Sequence, residues 1–171
     1  MKKVIAFICN GNIQRSVIAA ESLKRVLREL HIDSGFSVVS FGLQGTGGTN
    51  PPKHTYLSKY PKEWMAAKPT LERLDIDIRR HRFQKISERA MKKAHVIIAM
   101  DNKTYSRAKN SLIKQFPNYK EKIHRFSKLT AHHTEIIDPS GSGSERLHKK
   151  VIEIIYSTVT KKYKEILKWV S

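Results

Sequence analysis

The residues of this sequence that could do chemistry lie together, where the apolar run VIAFI gives way to CNGNIQRS. Cys9 begins that second segment and is the only cysteine among 171 residues, and Arg15 follows it six positions later. A nearby arginine and the N–H groups at a helix N-terminus favour the thiolate, which is the nucleophilic form of cysteine. Cys9 is therefore a candidate nucleophile for an anionic substrate that Arg15 would bind.

The five residues between Cys9 and Arg15 suit a loop that binds a tetrahedral oxyanion. Backbone N–H groups at the start of a helix can point inward and hold such an anion. Gly11 relieves steric limits in the curl, and Asn12 is among the few non-glycine residues that tolerate positive φ. The planar guanidinium of Arg15 would engage two phosphate oxygens, and the hydroxyl of Ser16 would donate to the thiolate.

Alternating strands and helices must position this loop. Apolar runs predict four strands, at residues 4–8, 36–41, 95–100 and 123–126. Apolar residues at helical spacing predict helices over 19–30 and 147–167. We therefore expect one α/β domain over 1–171, with a short parallel sheet of about four strands, helices on both faces and the phosphate-binding loop after strand 1. In such sheets ligands bind beyond the carboxyl ends of the strands.

Composition indicates the charge of the binding partner and the cellular compartment of the protein. Lysine and arginine exceed aspartate and glutamate by 33 to 15, a net charge of +18 that attracts acidic proteins, phosphate esters, nucleic acid or anionic lipid. The single cysteine excludes an internal disulfide and indicates a reducing compartment, which we expect to be the cytoplasm. No segment has the length and apolarity of a membrane span or signal peptide. His132 and His133 have no third ligand at metal spacing, so no metal site is expected.

The ordered set of motifs resembles the low-molecular-weight protein tyrosine phosphatases over most of the chain. The loop of that family runs Cys, an apolar residue, Gly-Asn-Ile, usually Cys, then Arg-Ser, and here it reads CNGNIQRS. Ser40 matches the serine that ends the second strand of the family, and Asp138 matches the aspartate of its Asp-Pro loop. Residues 56–69 have no counterpart in this pattern, and we predict that they form an inserted, irregular excursion from the core.

The resemblance implies hydrolysis of a phosphomonoester, most often phosphotyrosine on a protein, without metal or cofactor. Cys9 would attack phosphorus to give a phosphocysteine while Asp138 protonates the leaving oxygen, and Asp138 would then activate water. Arg15 would stabilise the phosphoryl charge. The residues implied to bind phosphate or to support the loop are Asn10, Gly11, Asn12, Ile13, Gln14, Ser16, Ser40 and His81, the last through a hydrogen bond to the loop asparagine. Asp101 is expected to cap or tie a strand end.

Five positions depart from the family pattern: Asn10, Gln14, Thr46, Gln84 and Ser140, of which three bear on substrate choice and oxidation. The two aromatic walls of the family site correspond to Thr46 and Ser140, which cannot stack on a phenyl ring, so a preference for phosphotyrosine stays open. Tyr56, Tyr60 and Trp64 are the candidates for a replacement wall. Gln14 stands where members carry a second loop cysteine, so no intramolecular disulfide can protect the nucleophile.

Two other interpretations stay open. Arsenate reductases share this fold but need further cysteines, which the chain lacks. A basic binding module with a vestigial phosphatase loop would hold an acidic protein or RNA, but no RNA motif or cluster of stacking aromatics supports nucleic acid beyond the charge. As an enzyme, the chain is expected to act on a phosphorylated protein with an acidic surface.

Overall fold

A four-stranded, all-parallel sheet forms the centre of the computed structural model, which describes residues 1–170. Its strands are β1 (Lys3–Cys9), β2 (Phe36–Gly42), β3 (Val96–Ala99) and β4 (Ile123–Arg125). The spatial order is β2-β1-β3-β4. The parallel sheet predicted from the sequence is thus confirmed. β3 is shorter than predicted, although the N–H groups of His95 and Met100 still bond to β1 on either side of it.

β1 lies inside the sheet, between β2 and β3, and its last five residues are buried, as expected for a continuous apolar run in a parallel sheet. Pairing with β2 ends where Cys9 lies opposite Gly42. The chain leaves β1 toward β2 on one side and later returns to β3 on the other. This reversal of direction opens a crevice beyond the carboxyl ends of β1 and β3, which is the ligand-binding place in sheets of this kind.

Helices cover both faces of the sheet, as predicted. They are α1 (Arg15–Glu29), α2 (Pro61–Arg73), α3 (Glu88–Lys93), α4 (Leu112–Gln115) and α5 (Glu145–Lys168). Helices α1, α2 and α5 pack on the face that carries Ile5 and Phe7, whereas α3 and α4 lie on the face of Ala6 and Ile8. Burying a large side chain such as Leu23 of α1 contributes about 1.5–3 kcal/mol. No helix within residues 1–170 has both the length and the apolarity to cross a bilayer.

The prediction of an irregular excursion over 56–69 is wrong. Pro61 begins α2 at the first helical position, where a missing N–H breaks no hydrogen bond. Leu57 and Ala67 are buried in the same core as α5. The signal that sequence reasoning missed is the apolar face of α2, which is short and interrupted by lysine and proline.

Candidate active site

Cys9 lies at the carboxyl end of β1, with only 3% of its surface exposed. Its Sγ accepts a hydrogen bond from the backbone N–H of Asn12 at 3.2 Å and lies 3.1 Å from Ser16 Oγ. Because Ser16 Oγ already accepts from Asn12 Nδ2 at 3.1 Å, its own hydrogen is available to Cys9 Sγ. Both contacts stabilise negative charge on sulfur.

Asn12 shapes the loop. It is fully buried and has a φ of 47°, the left-handed conformation that its residue type tolerates. Nδ2 also donates to Ser40 Oγ at 2.9 Å, and Oδ1 accepts from the N–H of Gln84 at 2.8 Å and from His81 Nε2 at 3.1 Å. Burial lowers the pKa of His81, although its hydrogen bond to the Asn12 carbonyl opposes that effect. Segments far apart in the chain therefore hold the curl.

The rest of the loop lines a cleft of about 370 Å³. Asn10, Gly11, Ile13 and Gln14 all contribute to its wall, together with Cys9 and Arg15. The carbonyl of Asn10 accepts from the N–H of Gln44 at 3.0 Å, which fixes the loop against the segment after β2. A Cβ on Gly42 would lie 2.9 Å from that same carbonyl, so the close approach requires glycine.

Arg15 is 3% exposed and its guanidinium contacts two carboxylates. Nη1 donates to Asp101, and Nη2 donates to Asp138 at 2.6 Å. Burial by itself would lower the pKa of Arg15, but the negative charges of Cys9, Asp138 and Asp101 outweigh it and raise that pKa. Burial likewise opposes ionisation of Asp101, yet Arg15 and the N–H of Thr104 hold the pKa of Asp101 below its ordinary value.

Asp101 is thus more than the strand-end tie that the sequence predicts. Its Oδ1 accepts from the N–H of Thr104 at 2.7 Å, which is the expected cap, and its Oδ2 also pairs with Arg15. The sequence did contain a signal for this role, because Asp101 lies just beyond β3, at the same carboxyl edge of the sheet at which Cys9 ends β1. Asp138 reaches the same cleft from the loop before α5, and its Oδ1 accepts from the N–H and hydroxyl of Ser140.

Only some of the residues that the sequence suggested as walls of the site line the cleft. Thr46 is absent from the lining and instead donates to the carbonyl of Leu43, whereas Ser140 lines the cleft. Of the three candidate aromatic walls, only Tyr60 lines it. Trp64 packs against the core, and Tyr56 lies beneath the guanidinium of Arg82.

Sequence reasoning did not identify five other residues that line the cleft: Gln44, Leu57, Glu63, Lys103 and Gly141. The backbone N–H of Gly141 donates to Glu63 Oε1 at 3.1 Å, so α2 contacts the loop that carries Asp138. Within residues 1–170, no group of three or more His, Cys, Asp or Glu side chains has the arrangement of a metal site.

The family profile described as "Low molecular weight phosphotyrosine protein phosphatase" matches residues 4–170. The chain belongs to this family. It is consequently a cysteine-dependent phosphatase, a phosphoric monoester hydrolase, and the interpretation as a binding module is not favoured. No curated protein sequence matches the chain.

Solved structures share the fold over almost the whole chain. The low molecular weight protein tyrosine phosphatase from T. tengcongensis is 23% identical, with a TM-score of 0.74 and coverage of 96% of this chain and 99% of its own. A protein tyrosine phosphatase from Entamoeba histolytica is 23% identical at a TM-score of 0.72, covering 98% and 97%. An arginine phosphatase from Geobacillus stearothermophilus is 20% identical at a TM-score of 0.73, covering 97% and 94%. At these identities the likeness concerns the fold alone.

Proposed function

We propose that this phosphatase hydrolyses phosphotyrosine on proteins through a phosphocysteine formed on Cys9, with Arg15 binding the phosphoryl group and Asp138 acting as general acid and base. The observation that carries the proposal is the convergence of these side chains on one cleft. Cys9 Sγ faces hydrogen-bond donors within its own loop, and Asp138 Oδ2 lies 2.6 Å from Arg15 Nη2. Cys9, Arg15 and Asp138 all line this cleft.

The first step would form a P–S bond and break the P–O bond to the leaving group. Phosphate oxygens would compete with Asp138 for Arg15 Nη2, and the carboxylate released from this ion pair would take up a proton from solvent or from the phosphate monoanion. The resulting carboxyl group would turn toward the leaving oxygen and give it that proton. In the second step the resulting carboxylate would take a proton from water, whose oxygen attacks phosphorus and releases Cys9 as thiolate. The guanidinium and the loop N–H groups would stabilise the phosphoryl oxygens in both steps.

The preference for phosphotyrosine is supported by the walls of the cleft. Ile13 offers an aliphatic surface, and the ring of Tyr60 lies where it can contact an aryl leaving group. The Tyr60 ring is held in place because its hydroxyl accepts from the N–H of His54 at 2.9 Å. An aromatic contact of this kind contributes about 0.5–1.5 kcal/mol beyond the area it buries.

An acidic substrate surface is supported by the distribution of charge. Many of the acidic side chains are neutralised by cations of the same chain, as in the pairs of Glu21 with Lys24 and Glu29 with Arg25. The excess of lysine and arginine therefore faces solvent, and Lys103 lines the cleft itself. We expect kcat/KM for an acidic phosphopeptide to fall as salt rises, and salt-independent values would contradict this. The lone thiol fits action in the cytoplasm.

Phosphoarginine is a second candidate substrate, because Glu63 places a carboxylate in the cleft that could pair with a guanidinium leaving group. The aliphatic and aromatic walls at Ile13 and Tyr60 favour the aryl ester instead. Parallel hydrolysis of matched phosphotyrosine and phosphoarginine peptides separates the two substrates, and faster turnover of phosphoarginine would reverse the order proposed here.

The mechanism is tested by hydrolysis of p-nitrophenyl phosphate in EDTA. Cys9→Ser should abolish turnover, and Asp138→Asn should lower kcat/KM by about 10²–10⁴-fold, the usual contribution of a general acid. Asp33→Asn is the matched control, since Asp33 is exposed before β2, at the opposite edge of the sheet. An inactive wild type that still binds vanadate would contradict the proposal and support a vestigial loop.

A further inference from the structure

A buried chain of hydrogen bonds joins the phosphate-binding loop to the loop that carries Asp138. Gln14 Nε2 lies 3.0 Å from His148 Nδ1, and His148 Nε2 lies 2.8 Å from the carbonyl oxygen of Ser142. Gln14 is 7% exposed and His148 is fully buried. These contacts span 134 residues of sequence between Gln14 and His148.

The direction of each bond in this chain is determined. A carbonyl oxygen can only accept, so His148 Nε2 carries hydrogen and donates to Ser142. In the neutral imidazole, Nδ1 then has a lone pair and accepts from the side-chain amide of Gln14. Gln14 is thus a donor to His148, a role that the cysteine usual at this position would fill only as a weak S–H donor.

The part of the loop that receives this contact, residues 138–143, makes few other polar contacts with the rest of the protein. It contains Gly141, which has a φ of 78° and no heavy atom within 4 Å of its Cβ position, and Gly143 two residues later. The polar contacts of residues 138–143 with the rest of the protein are the ion pair of Asp138, the contact of the Gly141 N–H with Glu63, and the His148 bond. Pro139 is buried, and just before this segment Ile136 is buried and its carbonyl accepts from Arg15 Nη1 at 3.4 Å. His148 lies in the first turn of α5, which begins immediately after the loop.

We propose that Gln14 and His148 are positioning residues that hold the Asp138 loop in register with the phosphate-binding loop. Gln14 belongs to the phosphate-binding loop and bonds to His148. His148 in turn bonds to the carbonyl of Ser142, four residues after Asp138, and so fixes that backbone relative to the phosphate-binding loop. The inference rests on the proposed function, because it takes Asp138 as the proton donor. It assigns to Gln14 a role in proton transfer to the leaving group, separate from the phosphate binding of its neighbours.

The test compares two substrates that differ in their need for a proton. Phenyl phosphate has a basic leaving group and depends on the general acid, whereas 2,4-dinitrophenyl phosphate expels a stable phenolate without one. Gln14→Leu and His148→Leu should lower kcat/KM for phenyl phosphate about tenfold or more and for the dinitrophenyl ester less than threefold. A variant that only unfolds in part lowers both values equally, so the ratio separates positioning from stability.

Two conservative variants of His148 sharpen the result. His148→Gln keeps a donor near Ser142 and loses the acceptor for Gln14, whereas His148→Asn does the reverse. Both should change the substrate ratio if the whole chain matters. A wild-type ratio in His148→Gln would overturn the role of Gln14. Lys149→Ala, an exposed neighbour on α5, should leave the ratio unchanged.

Asp138→Asn supplies the reference that separates this proposal from the mechanism on which it rests. Its substrate ratio should shift the most, and adding Gln14→Leu should shift it no further. A further shift, or equal losses on both substrates in Gln14→Leu alone, would overturn the positioning role while leaving Asp138 as the acid. A wild-type ratio in Asp138→Asn would instead refute the acid assignment and overturn this proposal with it.

Discussion

Substituting Asn12 should destabilise the protein by an amount that the structure allows us to work out. Its side chain makes four hydrogen bonds, to Ser16, Ser40, Gln84 and His81. Each contributes about 0.5–1.5 kcal/mol net, and an alanine at a φ of 47° adds about 1–2 kcal/mol of backbone strain. We expect Asn12→Ala to lower the free energy of unfolding by about 3–8 kcal/mol.

Glycine at the same position isolates the backbone contribution. Asn12→Gly loses the same four hydrogen bonds but adopts positive φ without strain, so its loss should be about 1 kcal/mol smaller than that of alanine. Asn110 is the matched control, because it is also a buried, hydrogen-bonded asparagine but has no positive φ. There the order should reverse, since glycine increases the entropy of the unfolded chain.

Urea unfolding followed by tryptophan fluorescence measures these free energies, and vanadate binding measures the loop directly. Both Asn12 variants should bind vanadate more weakly, since the backbone N–H of Asn12 points at Cys9 Sγ. Losses below about 1 kcal/mol in both Asn12 variants would show that the network is replaced by water. The same order of glycine and alanine at Asn12 and Asn110 would refute the argument from positive φ.

Three further predictions follow from single sites. Tyr60→Ala should raise KM for an aryl phosphate about 2–10-fold, whereas Trp64→Ala should lower the thermal midpoint at unchanged KM; the opposite pattern would remove Tyr60 as the wall. The free energy of unfolding should fall as pH drops below about 6.5, because the folded state depresses the pKa of His81 and the unfolded chain then binds more protons. His81→Gln should make that fall shallower, and an identical pH profile would count against the assignment. Prolonged peroxide should inactivate the enzyme irreversibly, since no second thiol can trap the oxidised Cys9 as an internal disulfide; full recovery with dithiothreitol, which cannot reduce sulfinic acid, would contradict this.

Local features of the chain explain why much of the fold could be predicted. The four strands are short apolar runs, and such a run can be recognised from consecutive residues without knowledge of the rest of the fold. α2 escaped prediction for the same reason, because lysine and proline interrupt its narrow apolar face. Its position became clear only from the packing of Leu57 and Ala67 into the core with α5.

The residues of the active site likewise fall into a group that local sequence predicted and a group that only the fold brings together. Spacing by itself predicted that Cys9, Asn12 and Arg15 share one loop, since a curl of a few residues between a strand and a helix leaves little conformational choice. Asp101 and Asp138 lie 86 and 123 residues after Arg15 in the sequence. Only the tertiary structure decided that both carboxylates contact the Arg15 guanidinium, one at Nη1 and the other at Nη2. Periodicity carries no information about such partners, because their meeting depends on strand order and crossover.

The contact of Gln14 with His148 shows this limit most clearly. The sequence marks Gln14 only as a departure from the family pattern, and His148 as one residue within an amphipathic helix. Their side chains meet because α5 packs against α1 and places its first turn beside the phosphate-binding loop. Residue type determined which chemistry the chain can perform, and the packing of distant elements decided which groups hold the reactive ones in place.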